Sequence, residues 1–283
     1  MGVSDKLREL RWRRAGHYDR PLPPAFLDPV REARILEVGG PSAVFRADGL
    51  LPVYRAAASV DGVQWSVDTL WHGHQQGAYI LEDAPAGTLH VADGATLDSL
   101  PGDAFDAVVS SHVIEHLANP LGALAAWRRV GREGAGLVLV APHMEGTFDH
   151  RRPVTPLAHM VADLERGTGE DDLTHLGETL RLHDRSRDVP DDAWEARRRE
   201  NVRHRVLHHH VFTTRSLVEL LVAANVEVTA VQTRHPHDIY LAGRFAKAGE
   251  VTIDLAGALR ASPFRIDRED AARPTASAPA GAR

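Results

Sequence analysis

The chain contains no cysteine. Disulfides, thiolate metal sites and cysteine nucleophiles are therefore excluded. No run of apolar residues is long enough to span a bilayer, and the amino terminus carries no apolar signal region, so a cytoplasmic protein is expected. Basic charge is not in excess either. The 33 Lys and Arg stand against 39 Asp and Glu, for a formal net charge of -6. A general nucleic-acid binder would be basic, so the expected partners include neither nucleic acid nor membrane. No internal repeat is evident. Histidine, in contrast, is abundant at 17 residues. The length of 283 residues, 43% of them hydrophobic, suits one large α/β domain with insertions or two small domains.

The stretch Arg34-Ile35-Leu36-Glu37-Val38 reads as a short buried strand that drops into Gly39-Gly40-Pro41-Ser42. A carboxylate followed by glycines at the carboxyl end of a first strand is how an open α/β sheet builds a nucleotide crevice. Glycine there lets the backbone approach a ligand that a Cβ would push away. A dinucleotide fingerprint would place its acid about 20 residues after the glycines, whereas Glu37 precedes them. A nicotinamide enzyme is disfavoured on that ground. Glu37-Val38-Gly39 resembles motif I of the class I S-adenosylmethionine-dependent methyltransferases, although Pro41 and Ala43 stand where that family has later glycines.

A second strand over 57–60 would put Asp61 at its carboxyl end. Its two acceptor oxygens would match the two hydroxyls of a ribose, and a turn aspartate in Asp61-Gly62 is the alternative. A third strand over 89–92 ends in Asp93-Gly94, and the resemblance implies that Asp93 binds adenine with help from a neighbouring backbone N–H. The segment 105–117 resembles the fourth strand and following loop of small-molecule methyltransferases most specifically. It implies that Ser111, His112 and His116 lie against the methionine end of the cofactor. His112-Val113-Ile114-Glu115-His116 also fits an inverted zinc-protease motif. That motif needs several helical turns, and Asn119-Pro120 starts a new helix too soon to allow them.

After a fifth strand ending at Pro142, the segment 143–211 forms a long helical insertion at the sheet edge where α/β enzymes place specificity. Methyl transfer needs in-line positioning and, for a hydroxyl or amine acceptor, a base. Histidine suits the base, so His143, Asp149, His150 and His175 are the catalytic candidates, with Asp149 orienting His150 or His143. His208 and His210 share one face if extended, which makes them candidate ligands for a divalent metal. Arg151 and Arg152 could grip a carboxylate or phosphate, or form salt bridges.

The expectation is an α/β fold whose seven-stranded, mostly parallel sheet has helices on both faces. An amino-terminal helix and linker would fill 1–33, the methyltransferase-like domain 34–246, and a carboxyl-terminal extension 247–283, disordered from about Asp267. The implied cofactor is S-adenosylmethionine, held by Glu37, Gly39, Gly40, Pro41, Asp61, Asp93, Gly94, Ser111, His112 and His116. The expected activity is methylation of a small polar metabolite, at oxygen, as a tailoring step in natural-product or sugar metabolism. A divalent metal, a homodimer, a same-fold enzyme of different chemistry and a non-catalytic scaffold stay open.

Overall fold

The protein is described by a computed structural model covering residues 22–70, 73–74, 76–82 and 84–272. The expected amino-terminal helix and the last eleven residues, 273–283, lie outside the described residues. Eleven strands are formed among those described. They are β1 (Arg34–Val38), β2 (Ser59–Gln64), β3 (Asp68–Thr69), β4 (Gly73–His74), β5 (Ala78–Leu81) and β6 (Ala84–Val91). Then come β7 (Phe105–Ser111), β8 (Gly131–Pro142), β9 (Val226–Arg234), β10 (Asp238–Phe245) and β11 (Glu250–Val251).

Nine of them make one sheet in the order β11-β9-β10-β8-β7-β1-β2-β6-β5. Strands β2, β1, β7 and β8 run parallel, and β10 is antiparallel to both β8 and β9. The expected seven strands are therefore corrected to nine. The two additions are edges: β5 folds back on β6 as an antiparallel partner, and β11 pairs with β9. The centre of the sheet is covered on both faces, which is why β1, β7 and β8 read as nearly unbroken apolar runs. Leu36, Val108, Leu137 and Leu139 pack on one side with Leu124, Trp127 and Leu217. Ile35, Ala107, Val109 and Val138 pack on the other with Phe26, Val30, Phe45 and Val53.

The helices are α1 (Val53–Ala56), α2 (Pro120–Val130), α3 (Leu157–Arg166), α4 (Leu176–Leu182), α5 (Trp194–Arg199), α6 (Asn201–His204), α7 (Thr214–Ala223), α8 (Leu255–Ala261) and α9 (Arg265–Asp270). The Asn119 side chain caps α2 by accepting from the Gly122 N–H, with Pro120 at the first helical position. Gly167, left-handed at φ 62°, ends α3. Thr213 and Ser216 form a reciprocal capping box on α7. The arginine-rich stretch after Asp191-Asp192 forms two short helices, α5 and α6, meeting at Glu200.

Disorder from Asp267 is corrected for the described residues 267–272. Asp267 sits in α9 and is fully buried. Its carboxylate accepts hydrogen bonds from Thr214 Oγ1 at 2.6 Å, Ser262 Oγ at 2.6 Å and the Thr214 N–H at 3.2 Å, and meets His143 Nε2 at 3.1 Å. The low apolar content around 267 misled because the segment is anchored by one polar residue.

Candidate active site

Strands β1, β7 and β8 all end on one edge of the sheet, at Val38, Ser111 and Pro142. The turn between β9 and β10 returns to the same edge because β10 runs the other way. A cavity of about 1350 Å³ opens there. Single small-ligand pockets occupy roughly 300–1,000 Å³, so this one has room for two molecules side by side. Its floor comes from the strand ends through Gly39, Gln64, Asp93 and Ser111, and from the loop after β7 through His112, Glu115 and His116. The insertion closes one wall with Glu170, Trp194, Arg205 and His208, and the β9–β10 turn adds His237 and Asp238.

The turn after β1 is built by Glu37 from behind. This carboxylate is fully buried. It accepts from Tyr54 Oη and Tyr79 Oη, each at 2.7 Å, and from the Ser42 N–H at 3.0 Å. Burial raises its pKa above the usual carboxylate value, against the opposing pull of those hydrogen bonds. Glu37 and Gly40 do not line the cavity, whereas Gly39, Pro41 and Ser42 do. Gly39 has φ +86°, and a Cβ there would meet Val113 Cγ2 at 2.3 Å, so the close approach of the two loops requires glycine.

Asp61 is not at a strand end. β2 continues to Gln64, and Asp61 pairs opposite Leu36 in mid-strand. Its carboxylate accepts from Arg34 at 2.9 Å and from the Thr88 N–H at 3.0 Å, and it does not line the cavity. The Asp61-Gly62 pair looks like a turn but serves packing. A Cβ on Gly62 would meet the Tyr79 ring at 2.3 Å, so glycine makes room for the tyrosine that reaches Glu37. The three acids 37, 61 and 93 therefore do not gather at one rim. Of the three, Asp93 alone faces the cavity, and Gln64 and Trp65 hold the place at the end of β2. Asp93 accepts from Arg205 at 2.9 Å and from the Ala95 N–H at 2.9 Å. Arg205 also reaches Glu170 at 2.8 Å, pinning the insertion to the sheet edge.

The segment after β7 is a short 3-10 turn, Ile114–His116, as the nearby Asn119-Pro120 requires. His112 Nε2 lies 3.1 Å from Asp238 Oδ1, and His112 Nδ1 lies 3.6 Å from Glu115 Oε1. Burial alone would lower the His112 pKa, but these two carboxylates overcome it and push it up to about 10. Burial opposes ionisation of Glu115 as well, yet His112 and His116 hold its pKa down to about 2. His116 is lowered to about 4 by burial and by the neighbouring His208. Behind them, His208 Nδ1 meets Asp149 Oδ2 at 2.6 Å, and Arg152 holds the other Asp149 oxygen at 3.0 Å. Glu115, His116 and His208 offer donor atoms within 4.8 Å of one another, as do His112, His237 and Asp238.

A family model for a methyltransferase domain matches residues 54–139, from α1 into β8. The match is to a methyltransferase domain and runs from α1 through most of β8, rather than over the whole chain. The match begins after β1, so it does not include the Glu37-Val38-Gly39 turn. No curated protein matches the chain in sequence. Solved structures of similar fold include an S-adenosylmethionine-dependent methyltransferase from Mesorhizobium loti, at 17% identity and TM-score 0.45, covering 78% of this chain and 94% of that one. A Methanosarcina mazei methyltransferase is similar at 16% identity and TM-score 0.45, covering 79% and 98%. The 1,6-didemethyltoxoflavin N1-methyltransferase of Burkholderia thailandensis, solved with S-adenosylhomocysteine, is similar at 12% identity and TM-score 0.45, covering 87% and 92%.

The sequence-derived cofactor residues divide cleanly. Gly39, Pro41, Asp93, Gly94, Ser111, His112 and His116 line the cavity, while Glu37, Gly40 and Asp61 do not. The catalytic candidates fare differently. His143 is fully buried against Phe264, with ring centroids 3.9 Å apart, and bonds Asp267, so no acceptor can reach it. His150 lies 2.9 Å from Asp184, which also holds Arg151, and it does not line the cavity. His175 lies 3.0 Å from His159 in a separate cluster. Asp149 does orient a histidine, but that histidine is His208 rather than His150 or His143. The metal pair is not a pair: His208 lines the cavity, whereas His210 sits with His159 and His175. Arg152 is buried between Asp149 and Glu178 and is unavailable to a substrate.

His237 and Asp238 were missed, although a signal for them existed. An antiparallel last strand beginning near 238 must start at the carboxyl edge, and His235-Pro236-His237-Asp238 immediately precedes it.

The His112 contacts predict a pH-dependent stability. Its folded pKa is raised above the usual 6.5, so the contribution is complete below pH 6.5 and fades as pH rises toward about 10. Urea unfolding of wild type and His112→Gln should therefore show a stability gap that narrows from pH 6 to pH 10. A gap that widened with pH would contradict the pairing.

Proposed function

We propose that the protein methylates a hydroxyl group of a small polar metabolite, with S-adenosylmethionine as donor and His208 as general base. The observation that carries this reading is the 2.6 Å contact between His208 Nδ1 and Asp149 Oδ2 at the cavity wall. Burial would raise the Asp149 pKa, but His208 and Arg152 hold it well below the usual carboxylate range. An ionised carboxylate only accepts, so Nδ1 carries a proton, and in the neutral imidazole the lone pair is then on Nε2. A hydroxyl is a weak nucleophile until its proton has somewhere to go, which is what that lone pair supplies.

The residues present suit the cofactor. Gly39 and Gly94 line the cavity and present no side chain to obstruct a ligand there. Asp93 offers an acceptor for the adenine amino group, and the ionised Glu115 is a counter-charge suited to a sulfonium. When bound, S-adenosylmethionine would supply an electrophilic methyl group together with its leaving group. The chain's part is to orient an acceptor between the β7 loop and the insertion, to take its proton at His208 Nε2, and to exclude water with the wall that Arg205 pins. A tailoring role in natural-product or sugar metabolism in the cytoplasm fits a covered cavity of this size.

Incubation with S-adenosylmethionine and a panel of sugars, phenols and hydroxylated amines tests the reading by mass spectrometry. The expected product gains one methyl group on oxygen. Methylation confined to amine nitrogen, with hydroxylated compounds inert, would overturn the choice of acceptor.

A further inference from the structure

The insertion carries a second histidine cluster that methyl transfer does not use. His159 and Asp163 lie one turn apart on α3, His175 precedes α4, and His210 lies in the extended segment before α7. His159 Nε2 is 3.0 Å from His175 Nε2 and 3.3 Å from Asp163 Oδ2. His210 Nε2 is 3.9 Å from the same oxygen. Donor atoms of the three histidines all lie within 4.8 Å of one another. None of the four residues lines the cavity.

Two buried polar atoms of the cluster, Asp163 Oδ2 and His210 Nδ1, have no hydrogen bond among the described residues. Asp163 is 3% exposed, and its Oδ1 accepts from Arg166 and Thr168, yet its buried Oδ2 accepts no hydrogen bond among the described residues. It points at His159 and His210. His159 and His175 also aim nitrogens at each other, and two neutral imidazoles can share only one proton between them. The contact of His210 Nε2 with the Ala118 carbonyl, at 3.3 Å, is long for a hydrogen bond. A cation at the centre would satisfy Oδ2 and the facing nitrogens together. Ligands at 2.0–2.1 Å around a tetrahedral zinc stand about 3.3 Å apart, against 3.0, 3.3 and 3.9 Å for the pairs here, so an ion would draw Asp163 and the histidines slightly together.

We propose that His159, Asp163, His175 and His210 form a structural site for a divalent transition metal, with zinc the best match to three imidazoles and a carboxylate. The site would staple α3, the turn before α4 and the segment leading into α7 around one ion. A closed set of four protein ligands is the mark of a structural rather than a catalytic site. The inference does not depend on the acceptor or on methyl transfer.

The test uses the full chain, purified without a histidine tag and stripped with a chelator, then titrated with cobalt(II). Expected are uptake of cobalt with the intense visible absorption of tetrahedral coordination, displacement of that absorption by zinc, and a rise of several degrees in melting temperature on zinc addition. His175→Ala, and His159→Ala in a second variant, should lose the absorption, and His237→Ala and His208→Ala should keep it. Circular dichroism confirms that each variant is folded. Absence of cobalt uptake by folded wild type overturns the proposal, leaving a hydrogen-bonded histidine cluster. So does absorption that survives His159→Ala and His175→Ala but disappears in His208→Ala or His237→Ala.

Discussion

His208→Ala lowers kcat for the methylated hydroxyl by about 10²- to 10⁴-fold, the range for removal of a general base. The affinity for S-adenosylhomocysteine changes little, because the variant alters the acceptor side of the cavity and leaves Gly39, Asp93 and Ser111 in place. His150→Ala, by comparison, leaves kcat unchanged. Its ring is engaged by Asp184 at 2.9 Å and does not line the cavity. The pair of variants separates the base chosen by geometry from the one that the sequence order suggests, since Asp149 adjoins His150 in the chain but bonds His208 in space. Steady-state rates measured for both, with the same acceptor, decide the matter. A His150→Ala loss larger than the His208→Ala loss would reverse the assignment.

Asp267→Ala destabilises the protein by about 3–5 kcal/mol, because each buried donor left without its acceptor costs about 1–3 kcal/mol. Asp267 and His143 are both fully buried. Glu145 donates its N–H to His143 Nδ1, so the proton of the ring sits on Nε2 and points at Asp267 Oδ1. The variant would leave that N–H, the Ser262 and Thr214 hydroxyls and the Thr214 N–H without their acceptor. It would also remove a negative charge from the first turn of α7, where the helix dipole favours one. At roughly 2–4 °C per kcal/mol for a chain of this size, the melting temperature falls by about 10 °C. Thermal and urea unfolding measure the loss. A change within experimental scatter would show that α8 and α9 contribute little to the fold.

Much of the sheet was legible because its periodicity was strong. The apolar runs at 34–38, 105–111 and 136–142 are central strands, and Asn119-Pro120 marks the start of α2. The edges were not legible. β5 and β11 are short and carry exposed positions, so nothing in their pattern separates them from loops. Asp61-Gly62 imitates a turn because the glycine answers to a tertiary contact with Tyr79, and local sequence cannot display a ring arriving from 17 residues away. The same limit hid the roles of the histidines. Their concentration in the insertion pointed to chemistry, but extended alternation was the wrong guide for His208, His209 and His210. His208 meets Asp149, His209 meets Asn201 and His210 meets His159, each pairing fixed by a different element of the insertion. Glu37 shows that a motif can be right in position and wrong in role. It shapes the turn from behind and leaves the cavity to Gly39 and Pro41.

The central claim is that the cavity at the carboxyl edge holds the methyl donor with Asp93 as an acceptor. Isothermal titration of the full chain with S-adenosylhomocysteine tests it most directly. The account predicts saturable binding at a single site, weakened about tenfold or more by Asp93→Ala, in keeping with about 1.5–3 kcal/mol for a hydrogen bond to a charged group. No saturable binding by the folded protein, or binding that Asp93→Ala leaves unchanged, would contradict it.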